Sequence, residues 1–178
     1  VAPVSDFAAF MDVPVGFHWY DWHEIPFEQI GWIRPTIINE KENADFLRRV
    51  VKLRWALRRY FYAGQMERPP RLAGEIPKVT ADWHWQGRWP VTTEAVLTGA
   101  WQLPQDRKLA MLFVNVSDQP VSASCRFRAA TFGLAAGDFT AKRINPEDDG
   151  DSLSIQDGAE HDLRFEPRSA WAWEIQVL

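Results

Sequence analysis

Hydrophobic and polar positions change rhythm twice along this chain. Residues 1–38 show little regular periodicity, apart from Val13 to Tyr20, which reads as a short strand with Pro14 near its start, where a missing N–H does least harm. From Asn39 to Ala63 the period is helical. Phe46, Val50, Leu53, Leu57 and Tyr60/Phe61 form one apolar stripe, with Asn39 as N-cap, acidic residues in the first turns and Gly64 as the expected C′ residue. The spacing predicts a single helix of about 24 residues, roughly 36 Å long. Gln65 to Gly74, containing Pro69-Pro70, reads as a semi-rigid linker.

Beyond residue 76 the period is two. Thr80–Trp85 alternates, Gly87 turns the chain, and Val91–Gln102 supplies one long strand or two, interrupted near Gly99. Lys108–Ser117 (KLAMLFVNVS) is apolar on both faces, as a strand covered on both sides must be. Pro104, Asp118 and Pro120 bracket it with turn signals. Val121–Arg128 puts Val121, Ala123, Cys125 and Phe127 inward and polar residues outward. Phe139–Ile144, Leu153/Ile155, Leu163/Phe165 and Ala170–Leu178 complete the set, with an acidic turn at 146–151. The fold class is therefore mainly β with one long helix: an antiparallel β-sandwich of about eight strands, preceded by an α-helix and an irregular N-terminal segment. The organisation reads as 1–38, an irregular segment with one short strand; 39–75, long helix and Pro-containing linker; and 76–178, the sandwich domain.

Composition narrows the picture only modestly. The chain has 178 residues, enough for one domain with an extension. A net charge of −4 points to no polyanionic partner, so nucleic acid is not expected. No apolar run reaches the roughly 18 residues of a membrane span, no signal peptide is evident, and a soluble protein of undetermined compartment is expected. The single cysteine, Cys125, excludes an intramolecular disulfide. Ten tryptophans are unusual, and indoles serve cores, sugar platforms and interfaces alike, so their positions must decide.

Three segments carry a resemblance: FLRRVVKLRWALRRYFYAGQM, the hairpin LAMLFVNVSDQPVSASCRF, and the closing EPRSAWAWEIQVL. A long helix, a Pro-containing linker, a hydrophobic strand ending in Asn-Val-Ser and a final strand introduced by Pro-x-Ser resemble the C-terminal end of bacterial glycoside hydrolases. There the last helix of a barrel leads into an all-β domain. The stretch VPVGFHWYDWHEIPFE looks like the first barrel strand of a family of large glycoside-hydrolase-like bacterial proteins. A complete barrel needs about 250 residues. Fewer than 30 residues separate that first strand from the helix, so the resemblance implies that most of a barrel is absent.

Two clusters are candidates for chemistry. In the first, His18, Trp19, Tyr20, Asp21, Trp22, His23 and Glu24 would line a sugar pocket if the barrel resemblance held. Asp21 and Glu24 are candidate catalytic carboxylates, provided they stand about 5 to 9 Å apart; the competing reading makes both solvated turn residues. Trp19, Tyr20, Trp22 and His23 are candidate carbohydrate contacts there. His23-Glu24 opens like a zinc-protease motif, but Phe27 replaces the second histidine and Pro26 breaks the required helix, so no metal and no cofactor is expected. The second cluster is Trp83, Trp85 and Trp89, either a sugar platform or core, with core favoured. Trp171/Trp173 and Cys125 read as core, and the Asn115-Val116-Ser117 sequon is set aside because it ends the central strand. The helix arginines form an anion-binding face or, in the preferred reading, a solvated one.

The functional expectation is a noncatalytic β-sandwich accessory or structural domain of a glycoside-hydrolase-like protein, possible carbohydrate binding included. The alternative is a small carbohydrate-active hydrolase using the carboxylates of segment 18–24. The large apolar residues between Phe17 and Trp32 have little chain to cover them, which leads to an expected homodimer through residues 13–33.

Overall fold

The computed structural model describes residues 41–84, 88–147 and 149–177. The short strand at 13–20, the N-cap Asn39 and the dimer segment 13–33 lie outside them. Within the described residues the chain is mainly β. Two helices, α1 (Lys41–Ala56) and α2 (Arg58–Ala63), precede strands β1 (Gln65–Glu67), β2 (Leu72–Ala73), β3 (Lys78–His84), β4 (Arg88–Glu94), β5 (Val96–Leu103), β6 (Lys108–Asn115), β7 (Val121–Arg126), β8 (Asp138–Ile144), β9 (Asp149–Gln156), β10 (Glu160–Phe165) and β11 (Ser169–Val177). The strands form a six-stranded sheet in the order β1-β5-β6-β11-β8-β9, a three-stranded sheet β10-β7-β2, and a separate hairpin β3-β4, with antiparallel pairing throughout.

The six-stranded sheet is covered on both faces, which is why β6 is apolar on both. Leu109, Met111 and Phe113 join the core between the two large sheets, while Ala110, Leu112 and Val114 join a second core beneath the helices. Every residue from Leu109 to Asn115 is buried. Its neighbour β11 divides the same way, sending Trp171, Trp173 and Ile175 into the inter-sheet core and Ala170 and Ala172 toward α1. Alanines on that face leave room for the large helix residues Phe46, Leu53 and Leu57. The expected stripe is thus buried: Phe46, Val50, Leu53, Leu57 and Tyr60 are all 5% exposed or less.

The helix itself departs from expectation. It is two pieces, broken at Leu57 (φ −93°, ψ 10°), where the Tyr60 N–H donates to Leu57 O at 2.9 Å in a tightened turn. No Gly or Pro stands there, so the break answers to tertiary contacts beyond it. Tyr60 donates its hydroxyl to Glu174 Oε1 at 2.9 Å, and Phe61 sets its ring edge-to-face with Trp101 at 5.3 Å. Burial, followed by the charge of Glu174, pushes the Tyr60 phenol well above its ordinary value, so it remains a donor. Gly64 is not a left-handed cap; it is extended (φ −95°, ψ −178°). Its glycine is required by crowding, because a Cβ would overlap Tyr60 O and stand 2.6 Å from Gln102 O.

Nor is 65–74 a free linker. Gln65–Glu67 pairs with Ala100–Gln102 at the edge of the large sheet, and Leu72–Ala73 pairs with Ser124–Cys125 in the small one. Between them Pro70 is buried, and its carbonyl accepts from Thr98 Oγ1 at 2.9 Å. The segment crosses from one sheet to the other and forms part of the sandwich. The interruption placed at Gly99 falls at Ala95 instead. Gly99 continues β5 opposite Leu112, while the Ala95 N–H turns away to Pro77 O.

Asn115 holds the turn end of the sandwich. It is fully buried, and its Nδ2 lies within hydrogen-bond range of the carbonyls of Gln119 (2.8 Å), Glu166 (3.0 Å) and Phe165 (3.2 Å). Its Oδ1 accepts from the Ser117 backbone N–H and hydroxyl. One amide thereby joins the β6–β7 turn to the β10–β11 turn, satisfying backbone groups that burial would otherwise leave unpaired. The Asn-Val-Ser sequence is a structural clasp, and its asparagine is inaccessible to glycosylation in the folded chain.

Candidate functional site

The first sequence-predicted cluster, His18, Trp19, Tyr20, Asp21, Trp22, His23 and Glu24, lies outside the described residues, as does Trp85. Trp83 and Trp89 are backbone register partners across the β3–β4 hairpin, close to its turn. The hairpin forms its own sheet and adds no strand to either large one. Farther along it, the hydroxyls of Thr80 and Thr92, also register partners, meet at 2.8 Å. Trp171 and Trp173 are 3% and 4% exposed, as expected of core residues. Cys125 is buried in the inter-sheet core, and burial pushes its thiol up to about 11. No group of three or more His, Cys, Asp or Glu among the described residues is placed to hold a metal ion.

The helix arginines are largely engaged within the chain. Arg49 faces Glu147 at 3.5 Å and the carbonyl of Arg168, Arg59 pairs with Asp106 at 2.8 Å, and Arg58 lies 4.7 Å over the Trp55 ring. They form a partnered, solvated face.

A groove that the sequence reading did not anticipate opens where the 65–73 segment crosses between the sheets. It encloses about 1140 Å³. Its walls come from Arg68 to Ala73, from Arg126 and Arg128 at the end of β7, and from the turn carrying Phe132; Leu72 and Ala73 are themselves paired with β7. Thr98, Glu94 and Glu160 also border the space, as do the buried Val96 and Met111. Several contacts hold these walls. Thr98 ties down Pro70, and Gln102 Nε2 donates to Phe132 O at 3.2 Å. Asp157 Oδ1 accepts from the Ala129 N–H at 2.8 Å, and Gly133 (φ 64°) ends the turn in the left-handed region.

The charges around the groove are unequally matched. Arg126 Nη2 pairs with Glu160 Oε2 at 2.6 Å, and Glu160 also accepts from Ser124 Oγ. The Ser124 hydrogen bond and the Arg126 guanidinium hold the Glu160 carboxyl below its ordinary value. Arg68, Arg71 and Arg128 make no hydrogen bond or ion pair with any described residue. The one local signal for this site is Arg-Pro-Pro-Arg: consecutive prolines favour a three-residue turn, which brings positions 68 and 71 to one side. Arg126 and Arg128 come to the same place only through sheet pairing.

No protein-family model and no curated protein sequence matches the chain. Among solved structures, parts of several glycoside hydrolases are similar to it. An Anoxybacillus alpha-amylase matches 78% of this chain over 23% of its own, at 13% identity and a TM-score of 0.41. A thermostable GH51 alpha-L-arabinofuranosidase from Thermotoga petrophila matches 57% of this chain over 24% of its own, at 17% identity and 0.35. A GH30 endoxylanase from Clostridium papyrosolvens matches 47% over 20%, at 14% identity and 0.34. The match spans less than a quarter of the length of each of these enzymes. Among the described residues no helix is long and apolar enough to cross a membrane.

Proposed function

We propose that this chain is a noncatalytic β-sandwich accessory module of a glycoside-hydrolase-like protein, and that it binds carbohydrate weakly through the tip of the β3–β4 hairpin. The observation that carries the reading is the pairing of Trp83 with Trp89 in a two-stranded sheet joined to neither large sheet. Opposite positions of an antiparallel pair share a face, so two tryptophan positions are gathered beside the turn, with Trp85 next after His84 in sequence. Aromatic faces offer broad contact area at little conformational cost, which suits the C–H faces of a sugar ring. Trp171 and Trp173 are committed to the core and are not part of this reading.

The test is affinity electrophoresis and calorimetry against a panel of neutral polysaccharides, using the whole chain and the variants Trp83→Ala and Trp89→Ala. Binding weakened about tenfold or more in variants that keep the parent thermal midpoint is the expected result. Unchanged binding in both variants, or no binding in the parent, overturns the hairpin reading. Release of product from aryl glycosides, lost in Asp21→Asn or Glu24→Gln, would instead make the chain a hydrolase. Self-association through residues 13–33 belongs to the same proposal, and a monomer mass by light scattering would remove it.

A further inference from the structure

We infer that the groove between the 65–73 segment and the end of β7 is a second binding site, specific for an acidic oligosaccharide whose carboxylates meet Arg68, Arg71 and Arg128. The charge argument comes first. The chain as a whole carries −4, yet four arginines and two glutamates border this groove. One arginine, Arg126, is already neutralised by Glu160, so three guanidiniums stand against the single remaining carboxylate, Glu94. Like charges converging on one concavity raise its potential and draw in an anion. A guanidinium presents a planar fork of donors that a carboxylate meets with two parallel hydrogen bonds.

Rigidity comes next. Pro69 and Pro70 separate Arg68 from Arg71, and the segment is fastened at both ends by strand pairing and in the middle by Thr98. Arg128 follows directly from β7 and leads into the turn held by Asp157 and Gln102. The backbone carrying the cations is therefore largely set before any ligand arrives, which lowers the ordering cost of binding.

The occupant follows from size and lining. A volume of about 1140 Å³ is far more than one inorganic anion fills, and is of the order of a pocket for a ligand of several rings. Pro69 and Ala73, both exposed, and the half-buried Leu72 supply apolar surface beside the charged groups, while Val96, Met111 and Phe132 are buried. Apolar surface flanked by cations carried on a held backbone suits pyranose rings that bear carboxylates. The choice of a sugar rather than another polyanion rests on the carbohydrate reading above; the preference for negative charge rests on the groove alone.

Titration of the whole chain with a galacturonate tetramer, the matching galactose tetramer and inorganic phosphate tests the inference. The acidic tetramer is expected to bind at least about tenfold more tightly than the neutral one, with affinity falling as salt is raised. Arg71→Gln with Arg128→Gln should reduce that affinity by about tenfold or more and leave the thermal midpoint unchanged, since neither side chain holds a partner. Trp83→Ala should leave it intact, so loss of the hairpin site and loss of the groove site are separately readable. Equal binding of the neutral tetramer, or insensitivity to the paired arginine change, overturns the inference. Phosphate competing as strongly as the tetramer overturns the saccharide assignment, and no binding of the acidic tetramer overturns the site.

Discussion

Replacing Leu53 by alanine tests the packing on which the whole architecture depends. Leu53 is 0% exposed, in the core that joins α1 to the Ala110/Leu112/Val114 face of β6 and the Ala170/Ala172 face of β11. Removing three carbons from full burial forfeits about 2.4 kcal/mol of transfer free energy at roughly 0.8 kcal/mol each. A residual cavity of some 40 Å³ adds about 1 kcal/mol. The facing strands are interior members of a six-stranded sheet and cannot close in, but α1 is an outer layer, with Lys52 and Trp55 exposed, and can settle slightly. A loss of about 3 kcal/mol follows, toward the lower end for buried Leu→Ala changes. In urea unfolding followed by tryptophan fluorescence, with a slope of about 2 kcal/mol per molar, the midpoint should fall by about 1.5 M. Lys52→Ala, one position away and exposed, should stay within about 0.5 kcal/mol. A Leu53→Ala midpoint indistinguishable from that of Lys52→Ala, at unchanged slope, would refute the docking of the helix on the sheet.

Asn115→Asp should be destabilising in a pH-dependent way. The new carboxylate would face the carbonyls of Gln119, Phe165 and Glu166, so its folded pKa rises above the unfolded value near 3.9. The variant should be most stable in acid relative to the parent and lose stability as pH rises through that raised pKa; equal loss at pH 3 and pH 8 would contradict the clasp. Cys125 should resist thiol reagents in the native state and react at the rate of unfolding, since it is 1% exposed and its pKa is pushed to about 11. Fast labelling without denaturant would place it outside the core. The Glu160 carboxyl should titrate below the ordinary glutamate range by NMR and move back toward it in Arg126→Gln. Because its folded pKa is depressed, its contribution to stability is present above the unfolded pKa and is lost as pH falls through the folded one.

The local pattern of residues was sufficient for most of the elements, because burial on a sheet or under a helix imposes a period that can be read without coordinates. The double-faced apolar run of β6, the alternation of β7 and the 46/50/53/57/60 stripe all state which face meets a core. Trp171, Trp173 and Cys125 were legible as core for the same reason. What the pattern could not supply was anything set by long-range contact. Leu57 has no breaker beside it, yet the helix divides there, next to a turn whose Tyr60 reaches Glu174. The 65–74 stretch has the composition of a linker, and only the unpaired edges of β5 and β7 make strands of it. The place of Gly64 after the stripe suggests a cap, whereas its constraint is crowding by two carbonyls: the local one of Tyr60 and that of Gln102, some forty residues on. The groove was invisible for the same reason. Arg68 and Arg71 are separated from Arg126 and Arg128 by over fifty residues, and no short-range period connects them. Sheet pairing brings them to one rim, and a partner for a charge is a property of the assembled surface, which the order of residues along the chain does not encode locally.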